Sequence, residues 1–273
     1  MFLTKLFKEN KLQYRTLASI RSALSTTIII EGFNTLSDHP LIKRFMKGVF
    51  NLRPPKPRYN FTWDVQRIFS HFRKLGNNEA LCFKTLTEKL AILLLLLSGQ
   101  RCNTLTSFTM EGLKIQDNKV SFLANKLLKH NRINFNQREF CFAAIPEDIY
   151  ICPVLAIRGF CNRRTNMFTE SCSFFVTTVK PYRKPHPDTI SRWIKNIMKA
   201  AGIDTNVFKP HSCRSASNSK AKHSGLPTDI ILKRGSWSNV ETFLKFYFRT
   251  IIDQQTDDES ISNKYQQSLV SKS

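Results

Sequence analysis

Three things are scarce in this sequence. Acid is the first: 20 Asp and Glu stand against 42 Lys and Arg, and those acids are scattered. Two-metal nuclease chemistry needs carboxylates gathered at one place, so the scatter argues against it. Paired cysteine is the second. The seven cysteines fall at irregular intervals with no CxxC, which indicates neither a disulfide framework nor a zinc module and leads us to expect a reducing compartment. Long hydrophobic runs are the third. The strongest, "LAILLLLL" at 90–97, is eight residues long, against the roughly 20 needed to span a bilayer. The N-terminal "MFLTKLFKEN" has neither the apolar stretch nor the small-residue cleavage site of a signal peptide. No membrane role is expected.

What the chain has in excess is positive charge, a net +22 over 273 residues. The tail does not carry it. Residues 253–273 hold four acids and two bases, a net of −2, so the first 252 residues carry +24. A body so basic repels itself unless a polyanion is near, and DNA or RNA is the commonest such partner. The 41% apolar content supports a real core, in one large domain or two smaller ones.

The hydrophobic pattern is mainly helical. Residues 1–50 read as short helices; in "DHPLIKRFMKGVF" Asp38 is the expected N-cap, Pro40 sits in the first turn, and Leu41, Phe45 and Val49 recur at helical spacing. The three prolines of "NLRPPKPRYN" (51–60) mark a linker. In "TWDVQRIFSHFRKLG" the stripe Val65, Ile68, Phe69 and Phe72 predicts a helix stopped by Gly76. "TLTEKLAILLLLLSG" predicts the central buried helix, with Thr85 and Glu88 spaced as a capping box and an end near Ser98 and Gly99. From 113 to 142 the period shifts to alternation, with Asp117 and Asn118 at a turn, which predicts a small antiparallel sheet. Helix returns in "ICPVLAIRGFCNRR" and in "DTISRWIKNIMKAAG", where Ile190, Trp193, Ile194, Ile197 and Met198 line one side and Gly202 ends the run. After Ile252 the chain turns polar. The expected fold is mainly α with a small antiparallel β-sheet.

Several polar residues interrupt this core pattern. Arg101 follows directly on the most buried helix, where a guanidinium needs an anion or another partner. His211 and Arg214 in "PHSCRSASNSKA" stand at i and i+3, on one helical face otherwise made of small side chains. Trp237 and Tyr247 follow, and Lys129 in "LLKHNR" lies on or beside the sheet. Taken singly, each has an ordinary structural role: Arg101 as a helix-end cap or ion pair, His211 and Arg214 as surface neighbours or structural hydrogen-bonders, the two aromatics as core, Lys129 as a solvated lysine. Taken together, two arginines, an imidazole and an indole N–H are donors suited to phosphate oxygens, and a phenol among them could act as a nucleophile.

"SGQRCNTL", "HSCR" and "SWSNVETFLKFY", in that order, resemble the boxes of tyrosine recombinases, the phage-integrase superfamily. With "HPLIKRFMKGVF", "RPPKPRY", "TWDV", "LLK", "DTISRWIK" and "AAGID", the likeness covers about residues 35 to 250 and is nearest to the branch carried by DIRS-like and Crypton-like mobile elements. The resemblance implies a helical, SAM-like core-binding domain whose end is residues 1–50, the linker 51–60, a catalytic domain over 61–252 and a polar tail over 253–273. It makes Arg101 and Arg214 the two catalytic arginines, His211 the histidine of the HxxR box, Trp237 a contact to the scissile phosphate, and Tyr247 the nucleophile of a 3′-phosphotyrosyl intermediate. Lys129 resembles the lysine that protonates the leaving oxygen; Lys126 is its rival, since the register of "ANKLLKHNR" is open. The chain departs from the family pattern twice. Trp237 and Tyr247 are ten residues apart where nine is usual, which puts Phe246 at the usual offset, and Thr104 stands where an acid is usual.

The function so implied is site-specific cutting and rejoining of double-stranded DNA by a mobile-element recombinase. It needs no metal, nucleotide cofactor or small-molecule substrate, and it acts as a homo-oligomer, a tetramer on two sites. A DNA partner and the eukaryotic flavour of the motifs imply a nuclear location. The alternatives are an element-derived DNA-binding protein without catalysis and a type IB topoisomerase.

Overall fold

The computed structural model describes residues 2–55, 60–124, 139–167, 171–237 and 239–252. The chain divides into two compact units, Met1–Tyr59 and Asn60–Ser273. Lys126 and Lys129, most of the expected strand in "RINFNQREFCF", and the tail 253–273 lie outside the described residues.

The first unit holds helices α1 (Phe2–Lys8), α2 (Tyr14–Thr27) and α3 (Pro40–Leu52), with a 3₁₀ turn at Leu36–Asp38 before α3. Leu3, Leu17, Met46 and Val49 form its buried core, and Phe7 meets Phe45 edge to face. The cap of α3 differs from the expectation. Pro40 occupies the first helical position, so the last non-helical residue is His39, whose ring nitrogen accepts from the Leu41 N–H. Asp38 belongs instead to the 3₁₀ turn, where it accepts from Thr35 Oγ1 at 2.9 Å; that bond holds its carboxyl below the usual range. The inward stripe is Ile42, Phe45, Met46 and Val49, while Leu41 points out at 65% exposure. The helix runs on to Leu52, two residues into the proline-rich segment. Beyond it Arg53 bonds the carbonyls of Phe7 and Leu12 and stacks 4.2 Å over the Phe7 ring.

The second unit is built from β1 (Phe61–Trp63), α4 (Gln66–Leu75), α5 (Phe83–Ser98), α6 (Cys102–Leu105), β2 (Leu113–Ile115), β3 (Lys119–Leu123), β4 (Glu139–Ala143), α7 (Pro153–Thr165), α8 (Pro187–Ala200), α9 (Ser212–His223), α10 (Thr228–Gly235), α11 (Val240–Phe246) and β5 (Thr250–Ile252). Helix α5 is the axis, buried almost all round and packed against α7, α8 and α9. Its apolar run is continuous because it has no solvent side to present. The expected capping box is not formed. The helix starts at Phe83 with Cys82 as N-cap, so Thr85 and Glu88 both lie inside it. Thr85 pairs with the Cys82 thiol, and the buried Glu88 accepts from Asn196 of α8 at 2.9 Å. Helix α8 buries the five residues expected of it.

Strands β2, β3 and β4 form an antiparallel sheet in that order, with Gln116 and Lys119 closing the turn that holds Asp117 and Asn118. Val120, Phe122, Phe140 and Phe142 face inward, and Phe108 stacks on Phe122 at 4.4 Å. A second sheet was not expected: β1 and β5 pair in parallel, three residues each. Strands so short carry no alternation signal, and their partnership joins opposite ends of the unit. The architecture is α+β. Among the described residues no helix is long and apolar enough to cross a membrane.

Candidate active site

Gly99 ends α5 in the left-handed conformation, φ +62°. That turn aims its carbonyl away from the helix at Arg214 of α9, whose Nη1 donates to it at 2.6 Å. Arg214 Nη2 donates to the carbonyl of Gly235, the last residue of α10, also at 2.6 Å. Two helix ends are thus gripped by one guanidinium, which solves their orphan carbonyls. Both glycines are needed for the close fit. A Cβ on Gly99 would stand 2.7 Å from Asn218 Oδ1, and one on Gly235 would stand 2.5 Å from the Trp237 indole nitrogen.

Arg214 is 1% exposed. Helical spacing alone leaves it on a face shared with His211; the fold sinks it under Trp237, whose ring centre lies 3.9 Å from the guanidinium carbon. Burial pulls the Arg214 pKa down to about 9; the charge of Arg101 adds to that, and the Tyr247 phenol opposes it. Arg101 itself caps α6 in extended conformation and is half-buried. A buried guanidinium with a second positive group near it favours an anion alongside. Two buried donors, Arg214 Nε and Trp237 Nε1, have no hydrogen-bond partner.

Tyr247 completes the group. Its hydroxyl lies 3.3 Å from His211 Nε2, and its ring packs edge-on to Trp237 at 4.1 Å. Helix α11 ends at Phe246, so Tyr247 leaves the helical path with φ −128° and turns toward His211, while Phe246 stays 40% exposed. Of the residues singled out in the sequence, His211, Arg214, Trp237 and Tyr247 converge, and Arg101 is near enough to act on Arg214. Lys129 and Lys126 fall outside the described residues.

Some residues of the site were not legible in advance. Ser215 and Ser219 of α9 both donate to the Tyr247 carbonyl, at 2.9 and 3.0 Å, and Ser219 accepts from the Arg249 N–H. The serines at 212, 215 and 219 were visible as a stripe of small residues; that they are donors and acceptors for the Tyr247 segment was not. Gln100 is the other. Its amide donates to the Arg234 carbonyl and the Ser236 hydroxyl, tying the Arg101 turn to the turn before Trp237. Thr104 is buried and donates to Gln100 at 3.4 Å, a neutral link in the same bridge.

The fold is that of site-specific recombinases and integrases. It is similar to a XerA recombinase structure at TM-score 0.52 and 15% identity, covering 98% of this chain and 80% of that one. A XerH site-specific recombinase bound to palindromic difH substrate, in a post-cleavage complex, gives TM-score 0.58 at 11% identity over 97% and 69% of the two chains. The Tn1549 transposon integrase in complex with transposon right end DNA gives 0.55 at 16% identity over 96% and 81%. No protein-family model and no curated protein matches the sequence. At these identities it is the fold that is shared.

Proposed function

We propose that this chain cuts and rejoins double-stranded DNA as a tyrosine recombinase, with Tyr247 as nucleophile. One observation carries the reading: a tyrosine hydroxyl 3.3 Å from an imidazole nitrogen, beside a buried arginine whose Nε, and an indole whose Nε1, has no hydrogen-bond partner. A phosphodiester seated there supplies the missing acceptors. Tyr247 Oη bonds to phosphorus as the bond to the 5′ oxygen breaks, leaving a 3′-phosphotyrosyl link and a free 5′ hydroxyl. His211 Nε2 takes the phenolic proton, and Arg214 and Trp237 donate to the non-bridging oxygens, with Arg101 adding charge. Lys129, or Lys126, supplies the proton to the leaving oxygen by family resemblance. Attack by a 5′ hydroxyl reverses the step without an outside energy source, because the phosphotyrosyl bond holds the energy of the one broken.

The basic composition and the DNA-bound state of the XerH and Tn1549 structures support a DNA partner. The wording of the motifs supports an origin in a DIRS-like or Crypton-like element, work in the nucleus, and action as a tetramer on paired sites.

The test is incubation with a nicked DNA substrate that traps the covalent stage. The wild-type protein is expected to form an adduct, and Tyr247→Phe to form none while binding DNA within a few-fold of wild type. Binding without an adduct from the wild-type chain would instead identify a DNA-binding protein without catalysis. Plasmid relaxation without recombinant products would identify a topoisomerase.

A further inference from the structure

Trp63 lies at the start of the second unit, far in sequence from every residue of the site, and it is fully buried. Its indole N–H donates to Ser212 Oγ at 2.9 Å, and Ser212 is the first residue of α9, directly after His211. Asp64, next along, accepts from Lys220 of the same helix at 3.0 Å. The strand that carries Trp63 is β1, and β1 pairs with β5 in the register Phe61 to Thr250, Thr62 to Ile251 and Trp63 to Ile252. Strand β5 begins three residues after Tyr247. Between the ties from Trp63 and Asp64, helix α9 holds the Tyr247 carbonyl through Ser215 and Ser219. Helix α9, β1 and β5 are therefore joined in a ring by hydrogen bonds, and the contact between His211 and Tyr247 lies on it.

We infer that Trp63 is a positioning residue for the His211 and Tyr247 pair, acting on the imidazole through Ser212 and on the phenol through the β1 and β5 ladder. The inference rests on the recombinase reading for its purpose but not for its test. The indole has one donor and no acceptor, so it can address Ser212 Oγ and nothing else with that edge. Its burial alone would stabilise the unit wherever the N–H pointed; the bond to the residue beside His211 is what links it to the chemistry. Geometry of this kind matters because a misplacement of about 1 Å costs on the order of 10²-fold in rate.

The experiment compares wild type, Trp63→Phe, which keeps an aromatic filling but lacks the donor, and Ser212→Ala, which removes the acceptor at less risk to folding. The histidine titration of His211 is followed by NMR in each protein, with and without Tyr247→Phe. Tyr247→Phe is expected to change that titration in the wild-type background and to leave it nearly unchanged once Trp63 or Ser212 is altered. An equal change in all three backgrounds overturns the inference, and this holds whether or not the chain cleaves DNA. On the trapping substrate, each variant is expected to form adduct about 10-fold or more slowly, to bind DNA as wild type does, and to lose the dependence of rate on the His211 protonation state. The double variant should be no slower than either single one. Slow adduct formation with the His211 limb of the pH profile intact would mean that Trp63 serves the fold only.

Discussion

Arg214 and Lys89 show how differently the fold treats two buried cations. Arg214 has two backbone carbonyls at 2.6 Å and an aromatic cover. Lys89 has a single hydrogen bond, to Asn78 Oδ1 at 2.8 Å, and its ammonium sits 5.3 Å from the Phe72 ring centre. Burial pulls its pKa from the ordinary 10.5 to about 8, with the Asp148 carboxylate opposing. The unfolded chain therefore holds this proton more tightly than the native one. Stability is gained as pH rises from about 8 to 10.5 and lost as pH falls back through that window. Lys89→Met keeps the volume and discards the charge. Denaturant unfolding at a series of pH values is expected to show the variant more stable at pH 7, by about 1 kcal/mol after solvent screening, and to show the gap closing above pH 10. The sequence marks Lys89 as an interruption before an apolar run. Its neighbours Asn78 and Phe72 come from other elements, so nothing local announces how dry its place is.

At the scale of elements, the site depends on how helices end. Helix α5 stops at a left-handed Gly99, and α10 stops at Gly235; Arg214 holds both carbonyls. Gly99 was legible as a stop because glycine after an apolar run is the usual helix terminator. Gly235 was not, since its conformation is ordinary and its importance lies in what it leaves room for. A methyl there would meet the Trp237 indole nitrogen at 2.5 Å, so Gly235→Ala is expected to displace the indole from its seat over Arg214. The expected result is a change in tryptophan fluorescence and adduct formation slowed by about 10–100-fold, with DNA affinity little changed; unaltered fluorescence and rate would show that Trp237 has another seat. Caps were the weakest part of the reading from sequence. Asp38 and the Thr85 and Glu88 pair have the right residue types, yet His39 and Cys82 hold the cap positions because the helices begin one or more residues away from where side-chain type alone puts them. The two-stranded β1 and β5 sheet escaped notice for a different reason, that its pattern exists only once both strands are side by side.

For the whole molecule, charge and division into units matter most. On the proposed function, the net +22 implies that DNA binding would be driven in large part by release of counterions. If six to ten phosphates are contacted, the affinity should fall by roughly 10³–10⁵ between 50 and 200 mM salt, with a linear log–log slope. A titration by fluorescence anisotropy measures this, and a flat salt response would sink the DNA reading. Charge, the helical periods, the buried character of α5, the hairpin and the order of the chemistry-bearing residues were all determined by the sequence itself, because composition and short-range periodicity are local properties of a chain. Tertiary structure alone decided that Tyr247 rather than Phe246 meets His211, that Arg214 is sunk beneath Trp237, and that serines of α9 hold the Tyr247 carbonyl. Those facts come from packing between segments far apart in the chain, where a shift of a few tenths of an ångström decides which donor finds which acceptor, and no window of sequence contains both partners.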